Sequence, residues 1–116
     1  NLWSIIGKGM NIKICYALQP LANWCGKELS IEEKNIFDEL DQIDHSRHIL
    51  SLIDIKKYDI VKNLIIQNCK KYDIKFMDCN ESIRKNSHHK EWLFLDRAHL
   101  NDKGNRYIAE ALLSLI

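Results

Sequence analysis

The chain has 116 residues, of which 46% are hydrophobic and 28% are charged, and its formal net charge at pH 7 is +1. This length suits one small domain, and the composition predicts a packed core rather than disorder. A near-neutral charge without a basic stripe gives no reason to expect a nucleic acid as partner. No apolar run approaches the roughly 18–20 residues that cross a bilayer, so we expect no transmembrane segment.

The first residues, NLWSII, include no initiator methionine, charged leader or cleavage site. We therefore expect the chain to be part of a longer protein, with any targeting signal in the part that is absent. The four cysteines form no CxxC pair, and free thiols are favoured over a disulfide framework. Free thiols slightly favour the cytoplasm as the compartment.

The first predicted strand covers residues 12–18, a short apolar run that is followed by Pro20. Its length and its β-branched and aromatic content favour a strand over a helix. Before it, residues 2–6 are predicted to be the end of a helix that Gly7 and Gly9 stop.

The middle of the chain is predicted to be helical. Ser30 and Glu33 have the spacing of a capping box, so a helix should begin there and bury Ile36, Phe37 and Leu40. Residues 45–53 and 57–72 are helical by periodicity. The second of these helices has an apolar stripe, formed by Ile60, Val61, Leu64, Ile65 and Cys69.

A second strand is predicted over residues 74–78, followed by a polar, irregular segment over 80–93 and a final helix over about 102–116. Two strands joined by a long helical crossover should be parallel. The fold class is therefore α/β, with a sheet that two strands alone leave incomplete. The final helix should bury Ile108, Ala111, Leu112 and Leu115.

Asp96 and His99 lie three residues apart, just before the predicted final helix. A carboxylate at this spacing can bind one ring nitrogen and leave the other to accept a proton from a hydroxyl. Taken alone, the pair is more often a loop or cap carboxylate and a half-buried loop imidazole than a catalytic pair. Ligands of open parallel sheets bind beyond the carboxyl ends of the strands, where a loop over residues 19–26 should also lie. Its Gln19 and Trp24 are substrate-binding candidates, although Trp24 fits core packing as well.

The run FLDRAHLNDKGN, residues 94–105, resembles the last conserved block of the SGNH (GDSL-type) hydrolases. In that family the block supplies the Asp and His of a Ser-His-Asp triad, which match Asp96 and His99. Leu100, Gly104 and Ala109 match supporting positions, with Gly104 allowing close packing and Ala109 facing the sheet. Residues 14–20 also resemble the family's penultimate strand and the polar-Pro turn after it.

The resemblance implies a flavodoxin-like, three-layer α/β/α fold with a parallel sheet, of which residues 1–116 would be the C-terminal portion of a single domain. It implies an ester hydrolase or O-acyltransferase that acts on an O-acyl group, acetyl by preference, of a carbohydrate or lipid. No cofactor is implied. The family's Gly-Asp-Ser motif does not occur in this sequence. The nucleophilic serine should therefore lie in the absent N-terminal half, and the chain alone should be inactive.

Two further clusters of polar residues suggest metal sites, but a solvated surface is the preferred interpretation of both. One cluster is His88, His89 and Glu91, and the other is Asp41, Asp44, His45 and His48. Neither has the spacing of a known helical zinc motif, and no metal is expected. The alternative to an enzyme is a non-catalytic α/β binding or interaction module that shares the architecture.

Overall fold

A computed structural model describes residues 2–115, except for the side chains of residues 44–47. In this range the protein is mixed α/β and mostly helical, with a two-stranded parallel sheet. The strands are β1 (Cys15–Leu18) and β2 (Lys75–Asp78). The helices are α1 (Leu2–Met10), α2 (Ala22–Cys25), α3 (Ile31–Leu40), α4 (Asp44–Leu52), α5 (Ile55–Lys71), α6 (Cys79–Asn86) and α7 (Asp102–Leu113).

The parallel pairing predicted for the two strands is confirmed, with Cys15 opposite Lys75 at one end and Leu18 opposite Asp78 at the other. Both strands are shorter than the apolar runs that predict them. Their carboxyl ends meet at the same edge of the sheet. There the fully buried side chain of Asn80 joins the segments that leave the two strands.

Asn80 lies just after β2 and bonds to the chain that leaves β1. Its Nδ2 atom donates to the carbonyl of Gln19 at 3.1 Å, and its Oδ1 atom accepts from the backbone N–H of Leu21 at 2.9 Å. An amide can donate and accept at once, so one buried side chain satisfies both polar groups of the turn.

β1 is exposed along most of its length, in contrast to the buried strands of a fully covered parallel sheet. Of its four residues only Leu18 is buried, and Tyr16 is 46% exposed. A groove of about 700 Å³ runs beside this strand, and Trp3, Ile14 and Leu64 contribute to its wall.

The end of α1 differs from the prediction, because the helix continues through Gly7 and Gly9 to Met10. The chain leaves the helix at Asn11, whose φ of 52° is left-handed. Asparagine tolerates this region better than most residues, since its short polar side chain can bond locally. Gly7 instead serves close packing, because a Cβ there would lie 2.9 Å from Cγ1 of Ile14.

The capping box at the start of α3 is confirmed. The hydroxyl oxygen of Ser30 accepts from the N–H of Glu33 at 3.2 Å, and the Glu33 carboxylate accepts from the N–H of Ser30 at 2.8 Å. Phe37 is buried as predicted, while Ile36 and Leu40 are half-buried.

The prediction that residues 80–93 are irregular was wrong over its first half, where α6 forms. Asp78 caps this helix by accepting from the N–H of Asn80 at 3.0 Å. Ile83 is fully buried and anchors the helix. With so few apolar residues the segment lacks a visible helical stripe, although its cap and the burial of Cys79, Asn80 and Ile83 support the helix. The one-turn helix α2 was not predicted either.

The apolar faces predicted for α5 and α7 are narrower than expected. In α5, Ile60 and Leu64 are 61% and 55% exposed, and the core side is formed by Val61, Ile65 and Cys69. In α7, Ile108 and Ala111 are half-buried and Leu115 lies just beyond the helix. Leu112 is exposed, and so is Ala109, which the resemblance places against the sheet.

The buried side chains form two clusters. One lies among α2, α3, α6 and the segment before α7, and consists of Ala22, Cys25, Phe37, Ile83, Leu93 and Phe94. The other lies between the sheet and α5, and consists of Leu18, Trp24 and Tyr58. All four cysteines are free thiols. None of the helices in residues 2–115 has both the length and the apolar character needed to cross a bilayer.

Candidate active site

The segment that carries Asp96 and His99 is a closed turn held by its own backbone. Leu95 donates its N–H to the carbonyl of His99 at 2.8 Å, and Asn101 donates to the carbonyl of Leu93 at 2.8 Å. These bonds bring the two sides of the turn together as a short antiparallel bridge. The Asn101 side chain then caps α7 by accepting from the N–H of Gly104 at 2.9 Å.

Inside the turn, both carboxylate oxygens of Asp96 are used. Oδ1 accepts from the N–H groups of Ala98 and His99 at 2.7 and 2.8 Å. Oδ2 lies 2.7 Å from Nδ1 of His99, which is the contact that the three-residue spacing predicts. The bonds to the backbone hold the carboxylate in place, and the remaining oxygen orients the imidazole.

Partial burial by itself raises the pKa of Asp96. The hydrogen bonds from the Ala98 N–H and from the ring and backbone of His99 outweigh this effect, so the pKa lies below its ordinary value of 3.8. Asp96 is therefore an anion at neutral pH and accepts the Nδ1 proton of His99. In this tautomer Nε2 carries the lone pair, which can take a proton from a hydroxyl.

Arg97 anchors the turn to the helices beneath it. Its Nη1 atom donates to Oδ1 of Asn23 at 2.8 Å, and its guanidinium pairs with the carboxylate of Asp41 at the end of α3. The guanidinium carbon also lies 4.3 Å from the centre of the Phe37 ring. With its donors and its face engaged in this way, Arg97 has a structural role that no sequence pattern indicates.

Gln19, a predicted substrate-binding residue, does lie beside the Asp96–His99 turn. Its side-chain amide donates to the carbonyl of Ala98 at 2.8 Å. It shares with His99 a pocket of about 260 Å³, to which Asn105 and Ile108 also contribute. The carboxyl end of β1 and the turn are thus brought together, as the topology of a parallel sheet predicts.

Trp24, the other substrate-binding candidate, lines neither of the pockets beside His99. Its side chain is 6% exposed and packs against Tyr58, with 5.5 Å between ring centres. The indole N–H donates to the carbonyl of Asp54 at 3.2 Å. Between the open alternatives of site and core, the structure therefore places Trp24 in the core.

A second small pocket is also lined by His99. Its volume is about 190 Å³, and Leu40, Ile49 and Asp96 contribute to its wall. Among the described side chains no serine lines either pocket beside His99. The hydroxyl of Ser30 accepts at the cap of α3 instead.

Several of the residues considered as metal ligands have other partners, and one of them is Asp41, which pairs with Arg97. His89 pairs with Glu28 at 2.8 Å, and Glu91 accepts from the Tyr107 hydroxyl at 3.0 Å. The side chains of Asp44 and His45 lie outside the described residues. Across the rest of the chain, no three His, Cys, Asp or Glu side chains come together in a way that could hold a metal ion.

Comparison with protein-family models gives no match, and neither does comparison with curated proteins.

Proposed function

We propose that this chain supplies the histidine and aspartate of a serine esterase site of the SGNH type. The proposed reaction is hydrolysis or transfer of an O-acyl group, acetyl by preference, from a carbohydrate or lipid ester. The observation that carries the proposal is the 2.7 Å contact between Asp96 Oδ2 and His99 Nδ1, in a turn that holds the other carboxylate oxygen with two backbone N–H groups.

In the proposed mechanism a serine from outside this chain attacks the acyl carbonyl, and His99 Nε2 takes the hydroxyl proton. The carboxylate of Asp96 stabilises the imidazolium that forms. The imidazolium then protonates the departing alcohol, which leaves an acyl-serine. Water, or a sugar hydroxyl in a transferase, attacks this ester with His99 again as base, and the serine is released.

The proposed architecture is a three-layer α/β/α domain in which further parallel strands continue the sheet. Support comes from the exposure of β1 and from the apolar groove beside it. Two strands make a poor sheet on their own, and parallel strands are normally buried on both faces. In this proposal the absent strands carry the serine and the oxyanion donors.

The test is activity of the chain alone and in combination with the proposed N-terminal half. Alone, the chain should neither hydrolyse an acetyl ester above background nor react with a serine-directed fluorophosphonate. With the N-terminal half, joined covalently or added separately, labelling and hydrolysis should appear together. Stoichiometric labelling of one serine in the isolated chain would show that the nucleophile lies within these residues and would overturn the proposal.

A non-catalytic binding module is the second candidate. It is favoured by the pockets beside His99, in which no described side chain is a serine, threonine or cysteine. The two candidates differ in the segment that precedes this chain in the complete protein. A Gly-Asp-Ser sequence after a first strand supports the esterase, and its absence there supports the module.

A further inference from the structure

Glu33 is a fully buried carboxylate that receives four hydrogen bonds. Its Oε2 atom accepts from the N–H of Ser30 at 2.8 Å and from the ammonium group of Lys27 at 2.5 Å. Its Oε1 atom accepts from the N–H groups of Leu93 and Phe94 at 2.9 and 3.0 Å. The carboxylate thus joins the start of α3 to a segment sixty residues later in the chain.

A capping role accounts for only one of these oxygens. The box needs the glutamate to bond back to the N–H of the capping residue, which Oε2 does. Burying a charge is costly unless it is paired and hydrogen-bonded. A solvent-exposed glutamate would cap the helix without that cost. The burial of Glu33 is therefore explained by the second oxygen, which binds the segment that leads into the candidate site.

The two N–H groups that Oε1 binds belong to one side of the Asp96–His99 turn. The carbonyl of Leu93 accepts from Asn101 on the other side, and Phe94 bridges to Leu100. A shift of Leu93 and Phe94 would therefore move both sides of the turn, and with them the Asp96–His99 contact.

We propose that Glu33 is a positioning residue, whose buried carboxylate fixes Leu93 and Phe94 and so sets the hydrogen bond between Asp96 and His99. The proposal rests on the proposed esterase function for what the Asp96–His99 pair does. Its test does not, because it reads a ring nitrogen of His99 rather than ester turnover.

The test compares Glu33→Gln with Ser30→Ala. Glutamine keeps the volume of glutamate, but either orientation of its amide turns an N–H₂ donor toward N–H or ammonium donors, so one pair of bonds is lost. Ser30→Ala is the matched control. It removes the hydroxyl that accepts from the Glu33 N–H at 3.2 Å and leaves all four bonds of the carboxylate available.

The readout is the ¹⁵N spectrum of His99 in the folded 116-residue chain, which reports the fraction of the Nδ1–H tautomer and the exchange rate of that proton. Ser30→Ala should lower the melting temperature and keep the wild-type spectrum. Glu33→Gln should shift the tautomer fraction toward that of free histidine and speed Nδ1–H exchange by roughly tenfold, as loss of about one net hydrogen bond predicts.

A second variant, Glu33→Ala, should show the same spectral change. Its spectrum is recorded in sucrose, because osmolytes that are excluded from the protein surface favour the folded state. Folded Glu33→Ala with the wild-type His99 spectrum would overturn the positioning role, and so would an equal change in Ser30→Ala. If ester turnover is absent in the protein that also carries the proposed N-terminal half, while these spectra behave as expected, the esterase proposal fails and the role of Glu33 stands.

Discussion

The carbonyl oxygen of Leu93 leaves no room for a side chain on Gly104. A Cβ at Gly104 would lie 2.8 Å from that oxygen and 2.7 Å from Cδ2 of Leu100. Gly104 is in the first turn of α7, so its missing side chain lets the helix pack directly against the base of the Asp96–His99 turn. The same contact explains why Gly104 is the buried residue of α7.

We therefore expect Gly104→Ala to destabilise the fold by about 1–3 kcal/mol, the usual cost of overpacking a tight site. Gly9→Ala is the matched control, because a Cβ there meets nothing within 4 Å. It should leave stability unchanged or raise it by about 0.5–1 kcal/mol through helix propensity. Urea unfolding of the two variants measures both effects, and equal stability in the two would contradict the packing argument.

Substitution of the proposed catalytic pair should abolish most ester turnover in the protein that also carries the nucleophile. His99→Ala removes the base and should lower kcat by on the order of 10³–10⁶. Asp96→Asn should lower kcat by a somewhat smaller factor, because it disturbs the tautomer of His99 but leaves the ring in place. His88→Ala, at an exposed histidine outside the turn, is the control and should keep wild-type kcat. Wild-type turnover by folded His99→Ala would remove the central proposal.

The stability contributed by Asp96 should depend on pH in the acid range. Its hydrogen bonds outweigh partial burial and hold the folded-state pKa below the ordinary value of 3.8. A group with a lowered folded pKa contributes stability that is complete above the unfolded pKa and is lost as pH falls through the folded one.

The measurement is the difference in unfolding free energy between wild type and Asp96→Asn, followed from about pH 6 to about pH 2. Other carboxylates with lowered pKa values, such as Asp78 and Glu91, are present in both proteins and cancel in the difference. The difference should shrink below the ordinary aspartate pKa. A constant difference across this range would show that the Asp96 bonds do not stabilise the fold.

Cys15 should be the reactive thiol of the folded chain. Burial raises the pKa of Cys25 to about 12 and that of Cys79 to about 11, and it also raises the pKa of Cys69. Cys15 is exposed, and the thiolate is the form that alkylates. At neutral pH, iodoacetamide should alkylate one cysteine of the folded wild type and none of folded Cys15→Ser. In urea it should alkylate all four cysteines of the wild type. Mass spectrometry counts the added groups. Rapid alkylation of Cys25 in the folded protein would contradict this.

The features that the sequence predicts well are those that depend on neighbours in the chain. The capping box of Ser30 and Glu33 is a three-residue spacing, and so is the contact between Asp96 and His99. Parallel pairing of the strands follows from a helical crossover, which needs only the order of the elements. These predictions require no knowledge of which distant residues meet.

The features that the sequence did not predict depend on contacts between distant residues or on a few buried side chains. Helix α6 has one side-chain cap and buries Cys79, Asn80 and Ile83, too few residues to give a periodic apolar pattern. Trp24 fits either a ligand-facing loop or a core by composition, and only its packing on Tyr58 decides between them. Arg97 gives no local signal, because its partner Asp41 is 56 residues away.

The order in which the chain is made gives these distant contacts a further consequence. α3 leaves the ribosome before the Asp96–His99 turn exists, and domains are synthesised from the N-terminus at about 5–20 residues per second. Until Leu93 and Phe94 arrive, the carboxylate of Glu33 has only its near neighbours Ser30 and Lys27 as partners and must stay hydrated. We therefore expect the first core cluster to close only when the turn docks, with the candidate site among the last parts of the fold to form.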